Sequence, residues 1–183
     1  MRGIHHMLIH LPLTLWLLAM LMILVRSFSG GKLARASEDA FVPVVVLSLL
    51  GGAGAIISGF MVWTWEGTLY SPLTRNHILL SFWGMGLWAV MGALAWQGGT
   101  ALWEGFGRWI MIVLGLAASL VLVLTGTSGG KIAGIPSFFF GFLQDMGLNI
   151  YQTYYVPTYG IVIMVVVGIV MAFIGGLAGR RQQ

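Results

Sequence analysis

The sequence predicts an all-α integral membrane protein, a bundle of five transmembrane helices. Of its 183 residues, 58% are hydrophobic and only 8% are charged, and the mean hydropathy is +0.94. These values are typical of chains embedded in lipid. Apolar runs long enough to cross a hydrocarbon core, about 20 residues each, occur five times. They cover 8–26, 41–64, 77–97, 107–126 and 157–178.

The spans predict a simple domain organisation. Residues 1–135 are expected to form a four-helix membrane domain. Residues 136–183 are expected to form an interfacial segment followed by the fifth transmembrane helix. The longest interruption, 127–156, is rich in aromatic residues and glycine, so it does not predict a soluble domain.

Several helix ends carry recognisable signals. Pro12 lacks a backbone donor, so the first helix is expected to be kinked there or to begin near it. Ser37 is followed by two acidic residues and predicts the start of the second helix. Ser71 and Pro72 predict the N-cap and first position of the third helix.

The second helix carries a stripe of small residues, Gly51, Ala55 and Gly59, at four-residue spacing. Such a stripe lets another helix, or a flat cofactor, approach the backbone closely. Helix packing is the more general use of this pattern. Trp96, Trp103 and Trp109 lie near helix ends and predict an interfacial aromatic belt.

The distribution of basic residues predicts the orientation of the chain. With five helices, one side of the membrane holds three basic residues and the other holds six. The first side has Arg2, Arg75 and Lys131, and the second has Arg26, Lys32, Arg35, Arg108, Arg180 and Arg181. The positive-inside rule then predicts an N-terminus outside and a cytoplasmic C-terminus, in a multi-pass protein of the bacterial inner (cytoplasmic) membrane.

Composition excludes several functional classes. The chain has no cysteine, which excludes disulfides, thiolate metal sites and iron–sulfur clusters. The basic residues are scattered singly at helix ends, so the net charge of +4 does not indicate a nucleic-acid partner. Neither a phosphate-binding glycine loop nor paired carboxylates within the spans are found in the sequence. Catalysis would have to be redox chemistry supplied by a cofactor.

All four histidines are predicted to lie on one side of the membrane. His6 and His10 are four residues apart and share a helical face, whereas His5 is expected to point away. His77 lies one to two turns inside the third helix, at a depth similar to that of His10. Ionisable residues inside a membrane are costly enough to indicate function.

These positions predict a haem b site with His10 and His77 as axial ligands. Ser81 and Gly84 follow His77 on one face of the third helix and are expected to line the gap between the two imidazoles. Two imidazoles are the ligands of a low-spin haem. Arg2 or Arg75 is expected to meet its propionates through charge-assisted hydrogen bonds.

Four stretches in order resemble a family of membrane proteins catalogued as domain of unknown function 2231. "HHMLIHLPLTLWLLA" is similar to that family's His-Pro-x-x-x-His-Phe-Pro-x-x-Leu pattern. "GAGAIISGFMVW", "RNHILLSFWGMGLW" and "LVLTGTSGGKIAG" resemble its second, third and fourth helices. The resemblance covers roughly residues 5–135. This chain differs at Met7, where the family has proline, and in its fifth helix.

The resemblance implies that His6, His10 and His77 correspond to the family's histidines. It also implies a haem b or redox-partner protein associated with periplasmic cytochrome or dehydrogenase systems. The predicted function is therefore a haem-binding electron-transfer subunit rather than a self-sufficient enzyme. Its expected partners are other membrane subunits, with periplasmic cytochrome c or quinone as electron carriers.

The sequence is also compatible with other functions. The main alternative is a cofactor-free structural or assembly subunit of a membrane complex. A transporter or channel is disfavoured because the acidic residues all fall in loops or at helix ends. A copper site built from His5, His6 and His10 is chemically reasonable but less favoured than haem.

Overall fold

The computed structural model describes residues 2–62, 70–136 and 138–147, together with the single positions 159, 162, 163 and 166. This part of the chain is helical and has no strand. Four helices are long and apolar enough to cross a membrane, so the chain is a multi-pass membrane protein surrounded by lipid. The predicted fifth span, 157–178, lies outside the described residues apart from those four positions.

The four spanning helices are α1 Arg2–Phe28, α2 Lys32–Val62, α3 Pro72–Gly98 and α4 Gly105–Ile132. A short 3-10 helix, Gly99–Trp103, connects α3 to α4. A further helix, α5 Phe138–Asp145, follows α4. It falls in the segment predicted to be interfacial, and its Phe138 is 93% exposed.

The predicted start of α2 is wrong, and of the two alternatives for α1 the start near Pro12 is excluded. α1 begins at Arg2 and contains Pro12, whose ring packs against Gly51 of α2. A Cβ atom on Gly51 would come within 3.3 Å of Pro12 Cδ. α2 begins at Lys32, and Ser37 lies buried inside it rather than at its cap.

The predicted start of α3 is confirmed. The Ser71 side chain accepts a hydrogen bond from the backbone N–H of Thr74 at 3.4 Å. Pro72 then occupies the first position of the helix, where no backbone donor is needed. This cap fixes the register of the turn that leads to His77.

The four helices pack in a closed ring, in which α1 contacts α2 and α4 while α3 contacts the same two helices. At the centre, the rings of Trp16 and Trp88 stack with centroids 6.4 Å apart and planes inclined by only 2°. Trp88 is fully buried and Trp16 is 7% exposed. The bundle therefore has a packed aromatic centre.

Only part of the predicted aromatic belt lies at the surface. Trp96 and Trp109 are exposed, but Trp103 is 3% exposed, so its assignment to the belt is wrong. Its indole meets the Phe41 ring edge-on, with centroids 5.4 Å apart. The 3-10 helix turns Trp103 back into the bundle and closes the core at that end.

The α1–α2 and α3–α4 hairpins repeat one another. His77 and Trp88 each lie 72 residues after their counterparts in α1, His5 and Trp16 (77 − 5 and 88 − 16). Between α2 and α4 the offset is 70 residues and relates Ser58 to Ser128 (128 − 58). Because α1 and α3 run in the same direction, the two hairpins are parallel repeats about an axis along the membrane normal.

The contacts between helices follow the same repeat. Gly115 of α4 faces Met20 of α1, where an added Cβ would come within 2.8 Å of the methionine sulfur. The equivalent positions are Val45 of α2 and Gly92 of α3, where an added Cβ would come within 3.0 Å of Val45 Cγ1. Each contact pairs a large residue with a glycine. The large residue is on the first helix of its hairpin in one contact (Met20) and on the second helix of its hairpin in the equivalent contact (Val45).

A candidate paired histidine site

His5 joins α1 to α2 through a specific set of hydrogen bonds. Its Nδ1 atom lies 3.0 Å from the backbone oxygen of Ala55 and 3.1 Å from Ser58 Oγ. The Ser58 hydroxyl donates to the same Ala55 oxygen at 2.9 Å. Because a carbonyl oxygen can only accept, Nδ1 carries the hydrogen of the imidazole.

His77 repeats this arrangement between α3 and α4. Its Nδ1 atom lies 3.0 Å from the backbone oxygen of Thr125 and 3.1 Å from Ser128 Oγ. The Ser128 hydroxyl donates to the Thr125 oxygen at 2.8 Å. The same three groups, a carbonyl, a serine and an imidazole, therefore form one motif in each half of the bundle.

This hydrogen bonding determines which nitrogen is available for chemistry. When Nδ1–H donates to a carbonyl, the Nε2 atom of the neutral ring carries a lone pair. Metal-ligating histidines are commonly oriented in this way, with one nitrogen bound to a backbone carbonyl and the other to the metal. Both His5 and His77 are held in the form that can ligate a metal through Nε2.

Glycines make room for both rings. A Cβ on Gly59 would come within 3.2 Å of His5 Cε1, and one on Gly129 within 2.9 Å of His77 Cε1. Both glycines follow directly after the motif serine in the sequence. An alanine at either position would force the ring to move, so the Ser-Gly pair specifies both the hydrogen bond and the space.

The two imidazoles lie at the same end of the bundle, called here the histidine end. Both rings are half-buried, but His77 follows a turn of buried residues, Thr74, Arg75 and Asn76, whereas His5 follows the exposed residues Gly3 and Ile4. The repeat thus brings two equivalent ligand-capable side chains into one region.

The histidine pair differs from the one predicted. His5 was expected to point away from the face shared by His6 and His10, and it does, because its ring packs against α2. His6 and His10 are exposed on the outside of α1. Helical geometry accounts for the difference, since the face that meets α2 contains His5 and Pro12, and His10 lies off that face. The structure does not bring His10 into the space that His77 faces.

Ser81 and Gly84, which were predicted to line the haem gap, have contacts within α3 and with α4. The Ser81 hydroxyl donates to the backbone oxygen of His77 at 2.8 Å. Gly84 is buried against α4, where an added Cβ would come within 3.5 Å of Val121 Cγ1. Both residues therefore help α3 to hold His77 and to pack on α4.

Arg75 lies in the first turn of α3 and is 8% exposed, whereas the sequence predicted it at the surface. Asn76 beside it is 6% exposed, and its Nδ2 atom has no hydrogen-bond acceptor among the described residues. Two buried donor side chains thus immediately precede His77. The side chain of Arg2 lies outside the described part of the structure.

The three histidines considered for copper do not converge. His5 is turned toward α2, while His6 and His10 are exposed. Within the described ranges, no group of three or more His, Asp or Glu side chains is placed to hold a metal ion. A site at the histidine end therefore relies on two imidazoles from different helices.

The internal repeat was missed in the sequence, although a signal for it is present. Residues 55–59 read AIISG near the end of α2, and residues 125–129 read TGTSG near the end of α4. Each Ser-Gly pair is preceded by a helix carrying a histidine in its first two turns. A search for self-similarity at a spacing of about 70 residues would have paired His5 with His77.

Comparison of the chain with protein-family models, with curated proteins and with solved structures gave no significant match. The resemblance to the domain of unknown function 2231 family accordingly stays a prediction.

Proposed function

We propose that the chain is a b-type haem-binding subunit that relays electrons within a membrane complex, and that His5 and His77 would hold the haem. The observation that carries this proposal is the repeated orientation of the two imidazoles, each with Nδ1–H bound to a carbonyl and Nε2 unprotonated. His5 replaces His10 in this assignment, because His10 lies on the outside of α1.

The chemistry of the side chains at the histidine end supports this proposal. A low-spin b haem takes two neutral imidazoles, and when bound it supplies reversible one-electron transfer. Ser58 and Ser128 orient the two rings and maintain their tautomers, as outer hydrogen-bond partners do at metal sites. Asn76 provides a buried donor next to His77, and its Nδ2 atom has no acceptor among the described residues, so it could donate to a carboxylate.

One such site suits a relay better than a complete enzyme. The ligands lie near one membrane surface, so electrons would need another carrier to cross the bilayer. We assign this end to the periplasmic side from the charge distribution, in a bacterial inner membrane. A periplasmic cytochrome c or the quinone pool would then exchange electrons there, and the proposed fifth span, 157–178, would pack against a neighbouring subunit.

The direct test is a dithionite-reduced minus oxidised absorption spectrum of protein purified in detergent after haem-supplemented expression. We expect a b-type band in the wild type that is lost in His5→Ala and in His77→Ala. His10→Ala is the matched control, because it removes an exposed imidazole from the same helix and should leave the band intact.

The His10→Ala control also distinguishes the His5–His77 pair from the His10–His77 pair that the sequence predicted. Loss of the band in His10→Ala with retention in His5→Ala would restore His10 as the ligand. A folded, haem-supplied wild type without a band would contradict the haem proposal altogether.

A second function, a cofactor-free structural subunit, is favoured by one observation. Each imidazole already connects two helices through Nδ1, and such interhelical hydrogen bonds stabilise membrane bundles by about 1 kcal/mol. In that case the absence of a band would be accompanied by lower thermal stability of both histidine variants. The effect to measure in both variants would then be loss of a subunit from the parent complex.

A further inference from the structure

An open surface cavity of about 430 Å³ lies at the end of the bundle opposite the histidines. It is formed where α1 ends and where the 3-10 helix meets α4. Its lining includes Arg26, Ser27, Phe28, Trp103, Glu104 and Arg108. The cavity takes no part in the proposed haem site.

Two polar atoms in this lining have no hydrogen-bond partner among the described residues. Ser27 is only 4% exposed, and its Oγ atom is buried and unsatisfied. The Nε atom of Arg108 is buried and unsatisfied as well. A buried donor left without a partner costs about 1–3 kcal/mol, so a ligand that accepts both hydrogen bonds would recover this free energy.

The start of α4 adds positive potential to the same cavity. α4 is 28 residues long and has no acidic residue in its first turn, and its N-cap residue, Glu104, makes no side-chain capping bond. The first backbone N–H groups of a helix and its macrodipole favour an anion. Arg108 lies near these groups and strengthens the preference.

The carboxylates near the cavity are either paired with a cation or exposed to solvent. Glu38 pairs with Arg26 through the Nε and Oε2 atoms, which neutralises both. Glu104 also lines the cavity but is exposed, so water screens its carboxylate. The buried part of the lining therefore offers donors, from Ser27 and Arg108, to an incoming anion.

We propose that this cavity binds the phosphate of an anionic phospholipid headgroup. A lipid is favoured over a free anion because exposed aromatic side chains lie beside the cavity at the ends of the spanning helices, where Phe28 lines the cavity and meets the Trp109 ring edge-on. Phe28 is 67%, Phe106 is 79% and Trp109 is 47% exposed, and aromatic residues at this depth contact the acyl–headgroup boundary. Basic pockets between transmembrane helices recognise anionic headgroups in this way.

The test is a lipid titration of delipidated full-length protein, followed by native mass spectrometry. Phosphatidylglycerol should bind more tightly than phosphatidylcholine. Arg108→Gln and Ser27→Ala should each weaken phosphatidylglycerol binding about tenfold, which is the effect of losing one hydrogen bond to a charged group. Arg35→Gln is the matched control, because Arg35 is exposed near the same end of the bundle and does not line the cavity.

Three results would overturn the proposal. Equal phosphatidylglycerol affinity in all four proteins would locate the lipid elsewhere, and equal affinity for phosphatidylcholine would remove the role of charge. Inorganic phosphate that binds as tightly as the lipid and depends on Arg108 would indicate a site for free anions. If Arg108→Gln does not fold, Ser27→Ala carries the test, because it removes only an unsatisfied hydroxyl.

Discussion

The α1–α2 and α3–α4 hairpins use the same device to hold a histidine, but they embed it differently. His5 lies near the beginning of α1 and follows exposed residues. His77 follows a capped first turn whose residues Thr74, Arg75 and Asn76 are buried. The Ser-Gly pair is the common element, since it provides both the hydroxyl and the space for the ring. The comparison indicates that the pairing of side chains is repeated while the surrounding packing has diverged.

Substitution of the central tryptophans should have the largest effect. Trp88→Ala is expected to lower the free energy of unfolding by about 3–5 kcal/mol, because a large fully buried ring leaves a cavity. Trp16→Ala should cost slightly less, since Trp16 is 7% exposed and Trp88 is not exposed. Unfolding in mild detergent measures both values. A Trp16→Ala cost well above that of Trp88→Ala would break the near-equivalence of the two halves.

Substitution of the glycines beside the histidine rings should have the next largest effect on the free energy of unfolding. Gly129→Ala is expected to cost about 1–3 kcal/mol through overpacking against the His77 ring. Gly59→Ala should cost less, because its added Cβ would be 3.2 Å from the His5 ring rather than 2.9 Å and the α1 terminus can shift. The same unfolding assay checks this order. Adding His77→Ala should remove most of the Gly129→Ala penalty, and a purely additive double variant would contradict the contact.

The two equivalent contacts between a large residue and a glycine provide a further comparison of the two hairpins. Gly92→Ala is expected to destabilise the bundle more than Gly115→Ala, although Gly115 has the shorter contact of 2.8 Å. Val45 is β-branched and stiff, whereas the Met20 thioether can move aside. Both costs should lie near 1–2 kcal/mol. A larger loss for Gly115→Ala would indicate that Ile23, also 3.1 Å from the added Cβ, controls that contact.

The serine hydroxyls should have the smallest effect on stability. Ser58→Ala and Ser128→Ala each remove one partner of Nδ1 but leave the carbonyl in place. We expect a loss of about 0.5–1 kcal/mol for each, with the larger value at the more enclosed Ser128. Ser119→Ala is a suitable control, since that hydroxyl donates only within its own helix, to Gly115 at 2.8 Å. A loss equal to that of the control would remove the role of the serines.

The sequence predicted what depends on local composition. Four of the spans, the cap at Ser71 and the packing use of the small-residue stripe all follow from residue types within one or two turns. It failed where partners lie far apart in the chain. Pro12 lies inside α1 and packs against Gly51 of α2, and Ser37 is buried inside α2 instead of capping it. The hydrogen bond of His5 was missed because its partner serine lies 53 residues away.

The most direct test of the paired site is a haem titration of the purified protein, with spin state and stoichiometry read from the absorption spectrum. The equivalence of the two halves predicts one low-spin haem per chain. It also predicts that His5→Ala and His77→Ala both become high-spin or lose the haem. A second haem per chain, or an unchanged low-spin spectrum in either variant, would contradict a single site shared between His5 and His77.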